Sequence, residues 1–400
     1  MSAALSLAEQ GFDTYLVEKQ KELGGQLKHI YYTLEGSDPQ KELSRLIEVV
    51  ESHPKIMVLI GAQLQDSDGY PGNYKTRVIV DGKTEEILHG TTIMATGGGE
   101  AATTDYLYGK HKRVITQKQL EQSLAEGSEK DLENVVMIQC VGSRDQNMPY
   151  CSRVCCQHAL KNALKIKETN PKANIFILYR DMRSYGLMEK YYTMARQKGI
   201  IFIRYEENDK PAVKANGDNL EVTVKDHVLG ERIVLDAQML VLSTGIVPNQ
   251  ENQKLSQIFK VPLDADGFFL EAHMKLRPVD FYADGLYLCG LSHAPKLAGE
   301  SIQQANAAAM RAATLLSKEK LENVAITATV NKKHCVGCGM CIEACSYNAR
   351  FLDPVAGIDQ VNEALCQGCG ACVVACPNGA TQQKGFEKQQ IMAALMAAFR

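Results

Sequence analysis

Thirteen cysteines in 400 residues give the clearest indication of chemistry in this sequence. Eight of them form two runs with the spacing C-x2-C-x2-C-x3-C. Each cysteine of the first run has a counterpart in the second run at an offset of 31 residues. In two-cluster bacterial ferredoxins with this spacing, the fourth cysteine of each run, expected on the short helix that follows, ligates the other cluster. The predicted ligand sets of two [4Fe–4S] clusters are therefore Cys335, Cys338, Cys341 and Cys376, and Cys366, Cys369, Cys372 and Cys345. A zinc site is the alternative, which the eight-cysteine repeat disfavours.

A third group of cysteines falls within 17 residues, after a predicted strand at 135–139. Its members are Cys140, Cys151, Cys155 and Cys156. If residues 151–166 are helical, Cys151 and Cys155 lie one turn apart. The group predicts a third [4Fe–4S] cluster, with a redox dithiol or buried structural cysteines as alternatives. The remaining Cys289 is interpreted as a small buried residue, and His158 as a packed helix residue.

Composition excludes several classes of protein. Forty-four basic and 47 acidic residues give a net charge of -3, so no global positive charge indicates nucleic-acid binding. No apolar run approaches the roughly 18–20 residues that span a bilayer, and the N-terminus has no signal-peptide pattern. We expect a cytoplasmic protein of two to three domains, whose reduced thiols serve metals or redox chemistry.

The elements that would position these cysteines follow an α/β pattern. Residues 2–10 are predicted to form a helix that stops at Gly11, followed by a strand over 13–17 that ends at Glu18. An acidic residue in this place of a dinucleotide-binding unit binds a ribose hydroxyl, although Glu18 could also simply end a strand. Gly24, Gly25 and Gln26 follow, where backbone could approach a cofactor.

Three later strands run into glycine. They end at Thr96-Gly97, at Gly245 and at Gly290. After the third, Glu300 and Ser301 open a helix predicted over 302–316, and free N–H groups at such a helix start suit an electron-rich ring edge.

In this order, residues 1–316 resemble the flavoprotein disulfide reductases, of which thioredoxin reductase is the compact example. The resemblance implies FAD and two Rossmann-like domains. The candidate FAD contacts are Glu18, Lys19, Gly24, Gly25, Gln26, Thr96, Gly97, Gly245, Gly290, Glu300 and Ser301. Two G-x-G-x-x-G motifs of that family are absent. We therefore expect the first FAD-domain strand and its phosphate loop to be missing, an apolar seam beside strand 13–17, and no nicotinamide site.

The segments 140–144, 150–156 and 179–186 are similar to the flavin-binding A subunit of heterodisulfide reductase. The implied fold is α/β: two Rossmann-like nucleotide-binding domains of thioredoxin-reductase type, then an α+β two-[4Fe–4S] ferredoxin domain. The domain boundaries are 1–118 and 248–320 for the two parts of the FAD domain, 119–247 for the inner domain, 321–385 for the ferredoxin domain and 386–400 for a C-terminal helix.

The same resemblance implies FAD, three [4Fe–4S] clusters and flavin-based electron bifurcation, with ferredoxin as one acceptor and a disulfide-type compound as the other. Implied partners are ferredoxin, disulfide-reducing and iron–sulfur subunits, and a hydrogenase or dehydrogenase donor subunit in a hetero-oligomer. Alternatives are a non-bifurcating electron-wiring subunit and a stand-alone flavoprotein disulfide reductase.

Two further expectations concern single elements. Lys161, five residues beyond Cys156, is hypothesised to reach the flavin N5 edge, with a solvated helix lysine as the alternative. The apolar residues of 386–400 recur at helical spacing, which predicts a terminal helix that either packs on the ferredoxin domain or docks a partner subunit.

Overall fold

The structure, a computed structural model, describes residues 1–129, 131–321 and 326–399. Residues 322–325, near the start of the predicted ferredoxin domain, and Arg400 at the end of the predicted terminal helix lie outside the described residues. Among the described helices, none is long and apolar enough to cross a membrane.

The first part of the chain confirms the predicted helix–glycine–strand order. The helix ends at Glu9, and Gly11 takes a positive φ of 96°, which a glycine adopts without strain. The elements are α1 (Ser2–Glu9), β1 (Thr14–Val17), α2 (Pro39–Ser52), β2 (Ile56–Leu59), β3 (Gln63–Tyr70), β4 (Asn73–Val80), β5 (Lys83–His89), β6 (Thr92–Met94) and β7 (Gly98–Glu100).

The inner part is built around a five-stranded parallel sheet. Its elements are β8 (Val114–Thr116), α3 (Gln117–Glu126), β9 (Asn134–Val141), α4 (Cys155–Thr169), β10 (Asn174–Tyr179), α5 (Glu189–Gln197), β11 (Ile201–Arg204), β12 (Ala212–Asn216), β13 (Asn219–Lys225), β14 (Arg232–Ala237) and β15 (Met239–Thr244). The strand order is β11-β10-β9-β15-β8, so the sheet begins ahead of residue 119. Buried aliphatic side chains of β9, β10 and β15 pack against α4, which anchors the cysteine loop between β9 and α4.

The chain then returns to the first part. The elements are β16 (Ile246–Pro248), α6 (Asn252–Phe259), β17 (Leu286–Leu288) and α7 (Ala298–Leu316). β16 pairs antiparallel with β7, which forms the crossing point of the two parts, and β17 pairs parallel with β6. α7 packs alanines onto β17 and contacts α1.

The sheet of the first part is divided in two. β1 pairs only with β2 and β6 only with β17 among the described strands, although α1 and α7 pack together over both pairs. Tyr15 and Val17 of β1 are 41% and 38% exposed. One face of β1 therefore carries exposed apolar side chains, and the missing neighbouring strand stays a prediction.

The last part contains two antiparallel strand pairs, two short helices and a longer terminal helix. The elements are β18 (Ala328–Val330), α8 (Met340–Glu343), β19 (Arg350–Leu352), β20 (Asp359–Val361), α9 (Ala371–Ala375), β21 (Thr381–Gln383) and α10 (Lys388–Ala398). β18 pairs with β21 and β19 with β20. Gly337 and Gly368, which occupy equivalent places in the repeat, have φ near 65° and 63°, and a Cβ at either would collide with a carbonyl oxygen. Each cysteine loop therefore requires glycine there.

The terminal helix forms as predicted, but it does not pack on the ferredoxin part. No described residue of α10 is buried, and its apolar side chains Ile391, Met392, Leu395 and Met396 are 45–66% exposed. The alternative of a packed helix is therefore wrong for the conformation described.

Candidate functional site

One predicted ferredoxin ligand set surrounds a single cavity. This cavity is lined by Cys345, Cys366, Cys369 and Cys372, together with Tyr347 and Arg350. Burial raises the pKa of Cys372, and the other three cysteines of the set raise it further because their charges act on it. Four thiols from both halves of the repeat thus face one space, which fits a cubane with one cysteine on each iron.

Backbone N–H groups donate to the sulfur atoms of both predicted sets. The N–H of Ala328 lies 3.3 Å from Cys366 Sγ, and the N–H of Asp359 lies 3.4 Å from Cys335 Sγ. Ala349 donates to Cys345 in the same way, at 3.3 Å. Such donors stabilise electron-rich cluster sulfur, so the strands β18 and β20 contribute to the chemistry as well as to the fold.

The other set comprises Cys335, Cys338, Cys341 and Cys376, and its Cys341 packs in one buried cluster with Cys372 of the first set. Cys341 is buried on α8, and Cys376 directly follows α9. Burial acts to raise the pKa of Cys376, but N–H groups of residues 378, 380 and 381 outweigh it and lower the pKa. In both runs the third cysteine lies on the short helix and the fourth comes after it, whereas the fourth was expected on the helix. Among the described residues, no three His, Cys, Asp or Glu side chains converge closely enough to hold a single metal ion.

The four inner cysteines lie near one another at the end of β9 and the start of α4. Burial raises the pKa of Cys140 to about 11, with contributions from Cys156 and Cys151. The interaction between the neighbouring Cys155 and Cys156 thiols raises the pKa of Cys155 and lowers that of Cys156. Arg183 and Arg144 lower the pKa of Cys156 further. This thiol group therefore favours negative charge at its Cys156 end.

The loop between these cysteines corrects one expectation. α4 begins at Cys155, so Cys151 is not one helical turn before it. Arg153 has a φ of 58°, which breaks a helix, and its N–H donates to Cys151 Sγ at 3.3 Å. The buried Ser152 accepts from the N–H of Ile246 at 2.8 Å, which ties the loop to β16.

Arg153 also connects the cysteine loop with α7. Its guanidinium donates to Glu300 Oε1 at 2.8 Å and to the Tyr185 hydroxyl at 3.0 Å. Glu300 in turn accepts from the N–H of Leu297 at 2.9 Å, which caps the start of α7. An ion pair therefore links the inner cysteines to the helix that was predicted to face the flavin.

The start of α7 holds further predicted residues and one that the sequence did not reveal. A Cβ on Gly290 would approach only Ser301, at 3.8 Å, so a cofactor could come close to this backbone. The buried Lys296 donates to the Gly290 carbonyl at 2.7 Å. Burial, then the charge of Arg153, lowers its pKa to about 8. Only its place between Gly290 and Glu300 in the chain could have indicated Lys296.

The residues predicted to contact the FAD ribose follow β1, and Thr96 follows β6. Glu18 accepts from the N–H of Gln20 at 2.8 Å, and Lys19 pairs with Glu251 at 2.6 Å. The next residue, Asn252, accepts from the Thr96 hydroxyl at 2.7 Å. The start of α6 thus joins the Glu18 and Thr96 segments, which the sequence could not relate.

The remaining candidate residues occupy turns. Gly24 has a φ of 117° and precedes a 3-10 turn, Gly25–His29, that also contains Gln26. Gly97 has a φ of 75° and no neighbour where a Cβ would lie. Gly245 is different, because a Cβ there would press on Met148 and the Gly142 carbonyl beside the inner cysteines.

Lys161 lies in a buried ion-pair network. Its ammonium donates to Glu121 Oε1 at 2.7 Å and to the Tyr32 carbonyl at 2.9 Å, and it lies 5.0 Å from the Tyr32 ring centroid. His158 contacts the other oxygen of the fully buried Glu121 at 2.6 Å. Burial lowers the pKa of Lys161, and Glu121 opposes that shift. Lys161 is therefore not a solvated helix lysine; its contact with a flavin stays a prediction.

Comparisons with known proteins agree with this organisation. Residues 334–380 match the family described as 4Fe-4S dicluster domain. The structure of thioredoxin reductase from T. acidophilum is 15% identical, covers 79% of this chain and 95% of its own, and superposes with a TM-score of 0.53. Thioredoxin reductase from Lactococcus lactis gives the same TM-score at 16% identity, with the same coverage of both chains. The fold is thus that of the flavoprotein disulfide reductases, joined to a dicluster ferredoxin domain.

Two relatives extend over most of the chain. The A subunit of the H(2):CoB-CoM heterodisulfide,ferredoxin reductase of Methanothermobacter thermautotrophicus is 33% identical over 100% of this chain and 74% of its own length. The iron-sulfur A subunit of the CoB--CoM heterodisulfide reductase of Methanocaldococcus jannaschii is 31% identical over 87% and 67%. The chain belongs to the family of heterodisulfide reductase A subunits and is part of an oxidoreductase.

Proposed function

We propose that this chain binds FAD and three [4Fe–4S] clusters and bifurcates electrons in a heterodisulfide-reductase-like complex. A flavin in the first part would divide an electron pair between ferredoxin and a disulfide-type or other high-potential acceptor. The second candidate is an electron-wiring subunit that carries electrons between partners without dividing them. Both use the same cofactors, so the distinction depends on the flavin potentials.

The observation that carries the proposal is the Arg153–Glu300 ion pair. It joins a loop of four mutually interacting thiols to the start of α7, beside Gly290 and Ser301. A flavin at that helix start and a cluster at that loop would lie at adjacent positions, which suits one-electron transfer between them.

When bound, FAD supplies a carrier that accepts electrons in pairs and releases them singly, and each cluster takes one electron. For the flavin we propose Glu18 and Lys19 at the ribose end, Gly24, Gly25, Gln26, Thr96 and Gly97 along the cofactor, and Gly245, Gly290, Glu300 and Ser301 toward the ring. The inner cluster would use Cys140, Cys151, Cys155 and Cys156, near the positive charges of Arg144 and Arg183.

The proposed partners come from the relatives and from α10. The names of the relatives mention ferredoxin and the CoB–CoM heterodisulfide. We propose a ferredoxin and this heterodisulfide, or a similar disulfide, as the electron acceptors. Disulfide-reducing and iron–sulfur subunits, and a hydrogenase or dehydrogenase donor, would complete the hetero-oligomer. The exposed apolar side of α10 is the proposed docking helix for one of them.

Anaerobic analysis of iron, sulfide and flavin tests the cofactor content. The intact chain should hold about 12 iron atoms, four per cubane. Replacing Cys156→Ser should reduce this to about eight, because the inner cluster loses a ligand and the ferredoxin-type clusters do not.

The matched control is Cys289→Ser, a buried cysteine outside all three sets, which should keep about 12 iron atoms. About eight iron atoms in the unsubstituted chain would show that the inner cysteines form a thiol site instead. Absence of flavin from a chain with full iron content would overturn FAD binding by this chain alone.

A further inference from the structure

The ferredoxin part contains a buried ion pair of unusual location. Arg350 begins β19 and Asp359 begins β20, and each side chain is 1% exposed. Nη2 of Arg350 pairs with Oδ2 of Asp359 and also donates to the Thr381 hydroxyl at 3.0 Å. The pair therefore joins both strand pairs of the domain at its centre.

The two side chains do not satisfy each other's hydrogen-bonding groups. Arg350 Nε and Nη1 and Asp359 Oδ1 are buried without a hydrogen-bond partner among the described residues. Leaving charged donors buried and unpaired is strongly unfavourable in general. Free guanidinium N–H groups at such a position call for an anionic acceptor that protein atoms do not supply.

The position of Arg350 indicates which acceptor this is. Arg350 lines the cavity formed by Cys345, Cys366, Cys369 and Cys372. Burial raises the pKa of Cys372, and Arg350 opposes that shift through its charge. Cys341, of the other ligand set, packs in the same buried cluster as Cys372, and the positive charge of Arg350 opposes the rise that burial causes in the pKa of Cys341. The guanidinium thus lies between the two sets.

We propose that Arg350, held in place by Asp359, donates hydrogen bonds to the sulfur atoms of both ferredoxin-domain clusters and raises both reduction potentials. Reduction adds one electron to a cluster that is already anionic, and no bond is made or broken. A nearby cation with N–H donors stabilises the reduced form more than the oxidised form. This role rests on the two proposed ligand sets within the dicluster domain.

A contribution to folding stability does not by itself explain the buried Arg350–Asp359 ion pair. Replacing a buried ion pair by apolar residues of similar volume is often neutral or stabilising. The Asp359 N–H donates to Cys335 Sγ at 3.4 Å, in the set that includes Cys341, whereas the residues that line the cavity of the other set include Arg350 and not Asp359. Arg350 therefore acts on both clusters, and Asp359 acts mainly on the one that includes Cys341.

Potentiometric titration of the complete chain, followed by EPR of the magnetically coupled cluster pair, tests this role. Arg350→Met should shift both potentials downward, by about tenfold in each reduction equilibrium or ~59 mV. Arg350→Lys should recover part of the shift, because it keeps the charge but loses the planar fork of donors. Asp359→Asn should move the Cys341 cluster upward and the other one little.

Lys388→Met is the matched control, since it removes a positive charge from an exposed position of α10. Its potentials should equal those of the unsubstituted chain. If Arg350→Met does not retain iron, Arg350→Met with Asp359→Leu removes both charges and should fold. In this double variant the reduction potential of the cluster that includes Cys372 should still shift downward. The potential of the cluster that includes Cys341 should shift less.

Unshifted potentials in whichever of these two variants retains both clusters would overturn the role of Arg350. That result differs from failure of the proposed function. Fewer than about eight iron atoms in the unsubstituted chain would instead remove the two-cluster assignment on which the role rests.

Discussion

The pKa values of individual cysteines in this chain differ because their neighbouring groups differ. Cys156 has a lowered pKa because Cys155, the Arg183 N–H and two guanidinium groups favour its thiolate. Cys140, in the same group of thiols, has its pKa raised to about 11 by burial. A cluster bound here would therefore have its Cys156 end closest to the positive charges of Arg144 and Arg183.

A prediction at this scale concerns which lysine influences the flavin. If Lys161 reaches the flavin, Lys161→Ala should lower the flavin midpoint potential, since a cation stabilises the reduced anion. The measurement is an anaerobic spectroelectrochemical titration. Lys165→Ala is a matched control, because Lys165 also lies near the Tyr32 ring, at 5.7 Å, but pairs with Glu168 on the surface.

An unmoved potential in Lys161→Ala would refute the role of Lys161 and leave it as the partner of Glu121. Lys296→Met, measured in parallel, separates the two lysines. Lys296 lies on the Gly290 carbonyl at the start of α7, so a shift in this variant alone would assign the flavin cation to Lys296.

At the scale of elements, a helix begins close to the cysteines in each of the three ligand groups. α8 and α9 each start after a glycine with positive φ, and α4 starts after the left-handed Arg153. In each case the loop ahead of the helix places thiols that the helix itself could not bring together. Because Arg153 is not glycine, its conformation depends on its contacts with Glu300 and Tyr185.

The terminal helix gives the prediction at this scale. Removing residues 386–400 should leave iron content and both ferredoxin-type potentials unchanged, because no described residue of α10 is buried. The same truncation should abolish assembly with the partner subunits if α10 docks them. Iron analysis and size-exclusion chromatography of the reconstituted complex measure the two effects.

A point variant avoids the truncation. Leu395→Glu should weaken assembly by about tenfold or more, because a buried charge replaces an apolar contact. Gln389→Glu, an exposed polar position on the same helix, should not. Equal assembly of both variants would show that α10 is not the docking element.

At the scale of the whole molecule, the first and inner parts meet at the β7–β16 crossing and the Arg153–Glu300 ion pair. A cavity lined by Tyr70, Phe259, Tyr347 and Leu365 lies where the first part meets the ferredoxin part. Tyr347 lines this cavity and the Cys345 cavity, so it lies between the proposed cluster and the flavin-type domain.

The prediction for the whole molecule separates bifurcation from wiring. In a bifurcating subunit the flavin should take up two electrons in one step, with the second electron accepted at a higher potential than the first. In a wiring subunit the two electrons should be taken up in well-separated one-electron steps. A reductive titration followed by optical and EPR spectroscopy distinguishes these outcomes, and separated steps would contradict bifurcation.

The sequence by itself determined the features that depend on local spacing. The two cysteine runs, their 31-residue repeat and the helix–glycine–strand order of the first part follow from residues close together in the chain. Periodicity and ligand spacing are local properties, so the ferredoxin domain and the α/β fold could be predicted from them.

The tertiary structure alone decided how distant segments combine. Arg350 with Asp359, Arg153 with Glu300, and Lys161 with Glu121 are separated by between 9 and 147 residues, and no spacing rule relates them. The start of α4 was mispredicted for the same reason, because Arg153 takes its conformation from contacts with α7 and the Tyr185 loop. Burial and charge pairing act between neighbours in space, which only the folded chain defines.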